Sequence, residues 1–292
     1  MSITNFIPEL YTDSVLVALK KLLVYVNCFN NDYAGMVSAK GDTVHITAFS
    51  DIPVNPYTRN STITYSTLTD EGTALLIDSC DVWAFTVDDL DKKQASSDDF
   101  ISYTADRAAY SLAIIQDEYA AGKMAAGVST GGTDVLTGTA DGVSNQLGAI
   151  TVATVDEAYN LILELRNRLT KSLVPAQDRF VIVPTDLYAV LLKDPRFVYQ
   201  YIAGTTDGLR NGEVGKVLGF TVLESQTVPE TAGVYTVIAG HSMASTYALQ
   251  LAETEALRQI DTVGDSVRGL ALYGAKVIRG GCLASADVTV TA

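Results

Sequence analysis

Basic residues are scarce in this chain. Its 292 residues include 20 Lys plus Arg against 34 Asp plus Glu, which gives a formal charge of −14 at pH 7. A protein that grips nucleic acid through its phosphates needs an excess of basic side chains, so this balance argues against that class of function. Any contact with nucleic acid is therefore expected to be local or weak.

Cysteine and histidine are rare as well, with three and two residues. Cys28, Cys80 and Cys282 lie far apart and form no Cys-x-x-Cys pair. Zinc sites need closely spaced ligands and disulfide frameworks need paired cysteines, so neither is expected. We interpret the three cysteines as buried small hydrophobic residues.

Long apolar runs are also absent. No uncharged apolar stretch reaches about 18 residues, and the N-terminus has no basic segment that leads into an apolar run and a small-residue cleavage site. With 48% hydrophobic and 18% charged residues, the chain can still build a substantial core. We expect a soluble protein of two or three subdomains in a reducing cytoplasm.

The motifs of common enzymes are incomplete. Residues 210–217 carry the Gly-Lys pair of a phosphate-binding loop, but Arg210 stands where the loop needs glycine and Val217 where it needs serine or threonine. No Gly-x-Ser-x-Gly elbow occurs, and His241 directly beside Ser242 is interpreted as an ordinary polar residue at a strand end.

Clustered acidic residues are the last candidates for chemistry. Asp88, Asp89 and Asp91 could hold a divalent ion, although acidic runs usually form solvated faces or helix starts. Acidic residues also pair at Asp98 with Asp99 and at Glu253 with Glu255. The first two clusters precede the long helix described next, where the helix dipole accounts for them. We therefore predict no catalytic residue, no cofactor-binding residue and no metal ligand.

What the sequence does contain is one long helical pattern, from Asp98 to Met124. Ser96 with Asp99 would cap its start, and Gly127 lies just past its end. At 1.5 Å per residue this helix would be about 40 Å long. Its apolar residues recur at alternating steps of four and three, and the predicted stripe comprises Ile101, Ala105, Ala108, Leu112, Ile115 and Tyr119.

Before this helix the apolar period is two. Asp42–Phe49 and Thr62–Leu68 alternate and enclose a turn-rich segment, which predicts a long β-hairpin. A threonine-rich hairpin is marginal alone in water, so it needs a partner surface. Thr73–Ile77 and Val82–Val87 are predicted strands. An amphipathic helix from Tyr11 to about Val26 would dock either on its own core or on a neighbouring chain.

The second half of the chain mixes helices and strands. Helices are predicted at Asp156–Lys171, with Thr154 as cap, and at Thr185–Leu192, whereas Ser242–Ala248 suits a short helix or a strand. The glycine-rich segment 127–148 is interpreted as a loop or a tight-turned ribbon. Strands are predicted at Arg179–Val183, Phe220–Glu224, Tyr235–Ala239, Leu251–Leu257 and Arg268–Ile278.

In this order the parts resemble the major capsid proteins of tailed phages, which have the HK97 fold. The segments that carry the resemblance are Asn5-Phe6-Ile7-Pro8-Glu9-Leu10, Leu68-Thr69-Asp70, Val87-Asp88-Asp89, Arg179-Phe180-Val181-Ile182-Val183-Pro184, Gly219-Phe220-Thr221-Val222 and Gly269-Leu270-Ala271-Leu272-Tyr273-Gly274-Ala275-Lys276-Val277. The resemblance implies an α+β fold in five parts. These are an N-arm at 1–34, an extended E-loop hairpin at 35–87, a P-domain with a long spine helix at 88–150, a compact A-domain at 151–250 and P-domain return strands at 251–292.

The resemblance further implies a structural protein of the virion. Copies would form pentamers and hexamers of an icosahedral head shell that encloses double-stranded DNA. The shell would be assembled in the host cytoplasm with a portal and, as a further candidate, a decoration protein. Because the N-arm begins near Met1, we expect a separate scaffolding protein, unless the precursor is cut. Flexible joints near Gly35–Gly41 and at Asp70–Gly72 would let the same sequence occupy both pentamer and hexamer positions.

The chain departs from the best-known member in its hairpin as well as in the missing N-terminal scaffolding extension. The distal hairpin, Phe49–Leu68, contains no lysine, so covalent cross-linking between subunits is not expected. Against the acidic balance, Arg166, Arg168 and Lys171 are expected to meet DNA or a neighbour. Two alternatives stay open: an encapsulin-like compartment for protein cargo, and a nucleotide- or metal-dependent hydrolase on residues 156–240.

Overall fold

The computed structural model describes residues 23–32, 43–49, 54–60, 62–63, 65, 67, 70–88, 100–128, 144–194, 196, 215–259 and 263–291. Within these ranges the helices are α1 (Phe100–Ala126), α2 (Val155–Lys171) and α3 (Thr185–Leu192). The strands are β1 (Thr43–Phe49), β2 (Asp70–Leu76), β3 (Ser79–Asp88), β4 (Gln146–Val152), β5 (Arg179–Val183), β6 (Lys216–Val217), β7 (Phe220–Glu224), β8 (Glu230–Thr231), β9 (Val234–His241), β10 (Ser245–Arg258), β11 (Gly264–Val277) and β12 (Leu283–Val290). The predicted α+β class is confirmed.

A seven-stranded sheet forms the centre of the fold. Its strand order is β4-β12-β9-β5-β7-β6, with β8 beside β9. β5 is buried along its whole length, since it lies between two layers. Phe180 and Ile182 face one hydrophobic core, and Val181 and Val183 face the other. This two-sided burial explains why β5 is an uninterrupted apolar run in the sequence.

Helices α2 and α3 cover one face of this sheet. The predicted cap of α2 is confirmed: Glu157 N donates to Thr154 Oγ1 (3.4 Å), and Thr154 N donates to Glu157 Oε2 (2.9 Å). The two bonds satisfy donors that the first turn of a helix leaves without intrahelical partners. The predicted apolar side of α2 is confirmed as well, because Leu161, Leu165 and Leu169 are buried.

The other face of the sheet packs against α1 and a three-stranded ribbon in the order β10-β11-β3. β10 and β11 are the longest described strands, with 14 residues each. The segment before the hairpin, Leu23 to Phe29, is largely buried in the same core and contains a 3-10 turn at Val26–Cys28. The ribbon, α1 and this segment therefore form one layer.

The long helix was predicted correctly, and its buried face was predicted in part. The residues of α1 that are buried are Ala109, Leu112, Ala113, Gln116, Asp117, Ala120, Ala121 and Met124. Of the predicted stripe, Leu112 is buried and Tyr119 packs against the same core, but Ile115 is 48% exposed. Two polar residues lie on the buried side, which a periodicity of apolar residues cannot indicate.

Other boundaries also differ from the predictions. Ser242–Ala244 form a 3-10 turn and β10 begins at Ser245, so the strand alternative holds for 245–248. Strands β4 and β12 were not predicted, and they pair in parallel in the large sheet. Leu23 to Tyr25 are not helical, so the predicted end of the N-terminal helix is wrong. The rest of that helix and the caps Ser96 and Asp99 lie outside the described residues.

Candidate assembly surfaces

Strands β1 and β2 form a hairpin that stands apart from the other sheets. They pair antiparallel in a two-stranded sheet, from Thr43 opposite Leu76 to Phe49 opposite Asp70. One face of the hairpin is buried near its base, through Val44, Ile46 and Leu75. These side chains join Ile77, two ribbon residues and Ile278, which directly follows β11, in a small separate core, which fixes the base of the hairpin on the ribbon. The two ribbon residues are Ala248 and Leu272.

The return strand of this hairpin is not the one predicted. The described residues among Thr62–Leu68 are not in a strand, and residues 70–76 pair with β1 instead. Leu75 is fully buried in the small core, and this packing selects residues 70–76 over the equally alternating upstream segment. The residues of the predicted joint at Asp70–Gly72 lie in this ladder, and the joint itself stays a prediction. Gly35–Gly41 lies outside the described residues.

The segment between β1 and β2 exposes large apolar side chains. Val54 is 94% exposed and Tyr65 is 87% exposed, and Tyr57 and Ile63 are exposed as well. Single exposed apolar residues are common on protein surfaces, but four in one connecting segment indicate a contact surface. We call described residues 54–67 the hairpin tip.

The base of the hairpin meets α1 through polar contacts. Tyr119 Oη donates to one carboxylate oxygen of Asp78, and Lys123 Nζ donates to the other at 3.2 Å. Burial opposes ionisation of Asp78, but these bonds and the Lys123 charge outweigh it and hold the pKa of Asp78 below its ordinary value. Asp78 and Ile77 are the two residues between β2 and β3 that belong to neither strand. The contact therefore ties the turn below the hairpin to the helix.

The ribbon presents an outward face with both apolar and charged residues. Val82 lies opposite Leu270, and Arg268 lies opposite Glu255. Val82 is 66% exposed, and Arg268 Nε donates to Glu255 Oε2 at 2.9 Å. These four residues and Gly269 line an open cavity of about 250 Å³. We call these five residues the ribbon face.

The three basic residues singled out in the sequence differ in their surroundings. Arg166 and Lys171 are exposed on α2. Arg168 is half-buried, and its Nη1 donates to the Ser144 carbonyl at 2.9 Å, so this side chain holds the start of the large sheet.

A fourth basic residue, Arg179, was not singled out. It is buried, and it donates to the carbonyls of Val174 and Pro175 and to Thr170 Oγ1. Burial, and then the charge of Arg166, lower the pKa of Arg179. Its partners lie at and just after the C-terminal end of α2, where carbonyl groups lack intrahelical donors. No local sequence signal marks it, because its partners are set by the turn that follows α2.

The other residues that the sequence analysis considered for catalysis, phosphate binding or metal binding are located as follows. His241 Nδ1 accepts from Met243 N at 3.1 Å and caps the turn that Ser242 begins. Lys216 and Val217 form the short strand β6, while residues 210–214 lie outside the described residues. Asp88 is exposed at the end of β3, and Asp89 and Asp91 are not described. Across the described ranges, no group of three His, Cys, Asp or Glu side chains could hold a metal ion.

The comparison with protein families decides the identity of the chain. Residues 81–284, which are more than half of the chain, match the family model described as phage capsid protein. The chain belongs to the phage capsid protein family. This capsid protein matches none of the curated proteins.

Solved structures agree with the family. A structure from Mycobacterium phage Che8 is 29% identical, covers 90% of each chain and has a TM-score of 0.70. The capsid structure of the cyanophage P-SCSP1u is 15% identical, with 87% and 85% covered and a TM-score of 0.70. A virus-like particle from Pyrococcus furiosus is 11% identical, with 94% and 96% covered and a TM-score of 0.53. The last two show the fold alone.

Family and fold together set the class of this capsid protein. It has the HK97-like fold and is a structural protein of the virion that forms a shell with copies of itself. The family is structural, so the hydrolase alternative on residues 156–240 is wrong. Among the described residues, no helix combines the length and apolar composition that crossing a lipid bilayer requires.

Proposed function

We propose that many copies of this capsid protein assemble into the icosahedral head shell of a tailed phage and that the shell encloses double-stranded DNA. The observation that carries the proposal is the hairpin. Its two strands pair only with each other among the described strands, and its tip exposes four large apolar residues. A two-stranded hairpin is marginal alone in water, so a second surface must cover it for stable function.

The surface that we assign to the hairpin tip is the ribbon face of a neighbouring copy. That face offers apolar area at Val82 and Leu270, beside an Arg268–Glu255 ion pair that polar groups of an arriving segment can meet. Each such contact is small, but a subunit in a closed shell makes several at once, and together they hold the shell. Pentamers and hexamers are the units that we propose.

The remaining assignments follow from the same proposal. The division into an N-arm, an E-loop, a P-domain, an A-domain and return strands is kept, and β12 within 251–292 is paired with strands of the large sheet. A separate scaffolding protein and a portal are proposed partners, a decoration protein is a further candidate, and assembly takes place in the host cytoplasm. Exposed Arg166 and Lys171 are the candidates for contact with packaged DNA.

Electron microscopy of particles from cells that express the chain together with the proposed scaffolding protein tests the hairpin contact. We expect closed shells from the wild type and from Thr62→Ser, which keeps a polar side chain in the same exposed segment. Tyr65→Ser removes an exposed ring and should abolish shells while leaving the far-ultraviolet circular dichroism of the unassembled subunit unchanged. Wild-type yields of shells from Tyr65→Ser would contradict the assignment.

The contents of the particle separate a phage head from an encapsulin-like compartment. We expect particles from phage-producing cells to contain nuclease-protected double-stranded DNA. Particles that hold protein cargo and no DNA would instead support the compartment. Nucleic-acid content is measured from the absorbance spectrum and by extraction after nuclease treatment.

A further inference from the structure

Asp117 is a buried carboxylate in the middle of α1, only 3% exposed. Its Oδ1 accepts from three successive backbone N–H groups, of Val24 (3.1 Å), Tyr25 (2.8 Å) and Val26 (3.3 Å). Its Oδ2 accepts from Thr227 Oγ1 at 2.8 Å. Successive N–H groups that converge on one oxygen form an anion-binding nest, and here the anion is supplied by the chain itself.

These four bonds join parts of the chain that are distant in sequence. Val24 is 93 residues from Asp117, and Thr227 is 110 residues away on the other side. A second set of bonds holds the end of the same N-terminal segment: Asn30 N donates to the Ser245 carbonyl, and Tyr247 N donates to the Asn30 carbonyl, both at 2.9 Å. Residues 24–30 are therefore fixed at two points, one on α1 and one on β10.

In the part of the chain that the structure describes, no Lys, Arg or His forms an ion pair with the buried carboxylate of Asp117. The titratable groups facing it are Tyr25, Cys28 and Tyr247, and burial first, then nearby charges including Asp117, raise the pKa of each, to about 12 for Cys28. Burial also raises the pKa of Asp117 itself, against the opposing effect of its four hydrogen bonds.

The three backbone N–H groups require an oxygen acceptor at position 117, but this acceptor need not carry a charge. Oδ1 can accept the three backbone bonds whether the carboxyl group is ionised or protonated. An asparagine offers the same carbonyl oxygen, and its amide can donate to Thr227 Oγ1, which can in turn donate to Ser225 Oγ, its neighbour at 2.7 Å. Removing the acceptor would leave three adjacent backbone donors unpaired in a buried place, which is costly.

We propose that Asp117 is a positioning residue for assembly. By holding residues 24–26 against α1 and Thr227, it fixes the position at which the N-terminal residues join the body of the subunit. The proposal rests on the proposed function, because this position matters for assembly only if the N-terminal residues contact neighbouring copies. One buried side chain would thus hold the N-terminal segment, α1 and the loop around Thr227 in fixed positions relative to one another.

Hydrogen exchange of the unassembled, full-length protein tests the positioning role directly. In Asp117→Ala we expect the amides of Val24, Tyr25 and Val26 to exchange on the order of tenfold faster, because their shared acceptor is gone. Asp117→Asn should keep wild-type protection, and Glu118→Gln, at the adjacent exposed position, is the matched control. Amides of α2 should be unchanged in all variants.

Shell yield is the second readout. We expect Asp117→Ala to lose shells and Asp117→Asn to keep them. Should Asp117→Ala fail to fold, Thr227→Val removes the Oδ2 bond together with the hydroxyl contact to Ser225, and faster exchange at residues 24–26 is still expected. Unchanged exchange and normal shells in Asp117→Ala, or equal losses in Asp117→Asn and Asp117→Ala, would overturn the proposal. A wild type that forms no shells would instead count against the proposed function, while the exchange result would stand.

Discussion

At the residue scale, glycines such as Gly127, Gly269 and Gly274 mark places where two parts of the chain approach too closely for a side chain. A Cβ atom would overlap the side chain of Val277 at Gly127, the ring of Trp83 at Gly269 and the backbone carbonyl oxygen of Leu76 at Gly274. At Gly274 the obstacle is backbone at the end of β2, which cannot rotate away. This contact lets the base of the hairpin lie directly on β11.

Gly274→Ala is therefore predicted to destabilise the subunit by about 1–3 kcal/mol, the usual cost of overpacking a fitted site. Gly122→Ala is the matched control, because nothing lies within 4 Å of its Cβ position. There alanine should stabilise α1 by about 0.5–1 kcal/mol, since glycine is a poor helix former. Denaturant unfolding of the unassembled protein measures both. Equal effects of the two changes would contradict the close approach at Gly274.

The buried carboxylate of Asp117 gives stability a predictable dependence on pH. Its pKa is raised in the folded state above the ordinary 3.8, chiefly by burial. Its contribution to stability is thus fully present below pH 3.8 and is lost as the pH rises through the folded pKa. The free energy of unfolding of Asp117→Asn minus that of the wild type should therefore grow as the pH rises through this window and then level off. Denaturant titrations measure the difference, and a difference that shrinks with rising pH would contradict the burial effect.

At the scale of elements, local signals in the sequence were sufficient to predict the helices and strands whose ends are fixed by nearby residues. β5, α3 and β7 have the predicted bounds, because a Pro184 break and apolar runs fix them locally. The start of α2 follows from the Thr154 and Glu157 capping box, which also acts within a few residues. These elements could be predicted without knowledge of their partners.

Elements whose position depends on distant partners could not be placed. The buried side of α1 contains Asp117, which makes sense only with residues 24–26 beside it. The return strand of the hairpin depends on the burial of Leu75 against the ribbon. β12 lacks a strong strand composition in its alanines and serines, and its pairing with β4 and β9 defines it. For the same reason the sequence indicated the hairpin as a contact element but gave no sign of Asp117.

The turn at Ile77–Asp78 is the element at which the hairpin joins the body, and its tie to α1 can be cut. Asp78→Ala should speed hydrogen exchange at Ser79 and in the small core at the hairpin base. The cost in global stability should be on the order of 1 kcal/mol or less, because the contact is largely exposed. Lys123→Met removes one of the two partners and should have a smaller effect of the same kind. Unchanged exchange in Asp78→Ala would show that the small core alone holds the base.

At the scale of the whole molecule, the fold combines a rigid body with projections. The large sheet has a hydrophobic core on each face. Helices α2 and α3 cover one core, and β10, β11 and α1 cover the other. The hairpin contributes only a small third core, and its tip is exposed. A subunit of this kind gains stability when copies cover its projections, which is what shell formation requires.

The amino-acid composition of the hairpin predicts whether neighbouring subunits of the shell are covalently linked. Residues 49–68 contain Arg59 as their only basic side chain and no lysine to form an isopeptide bond. We expect mature particles boiled in detergent under reducing conditions to run as a single band at the subunit mass of 31.1 kDa on a denaturing gel. A ladder of higher bands that survives reduction would contradict a non-covalent shell.

The most direct measurement is the structure of the assembled particle at a resolution that traces each chain. We predict a closed shell in which residues 54–67 of every subunit lie on the ribbon face of a neighbouring copy. Val54, Tyr57 and Tyr65, all exposed in the single subunit, should be covered there. A protease-resistant 31.1 kDa monomer in dilute solution, with the hairpin tip folded onto its own body, would contradict the assignment.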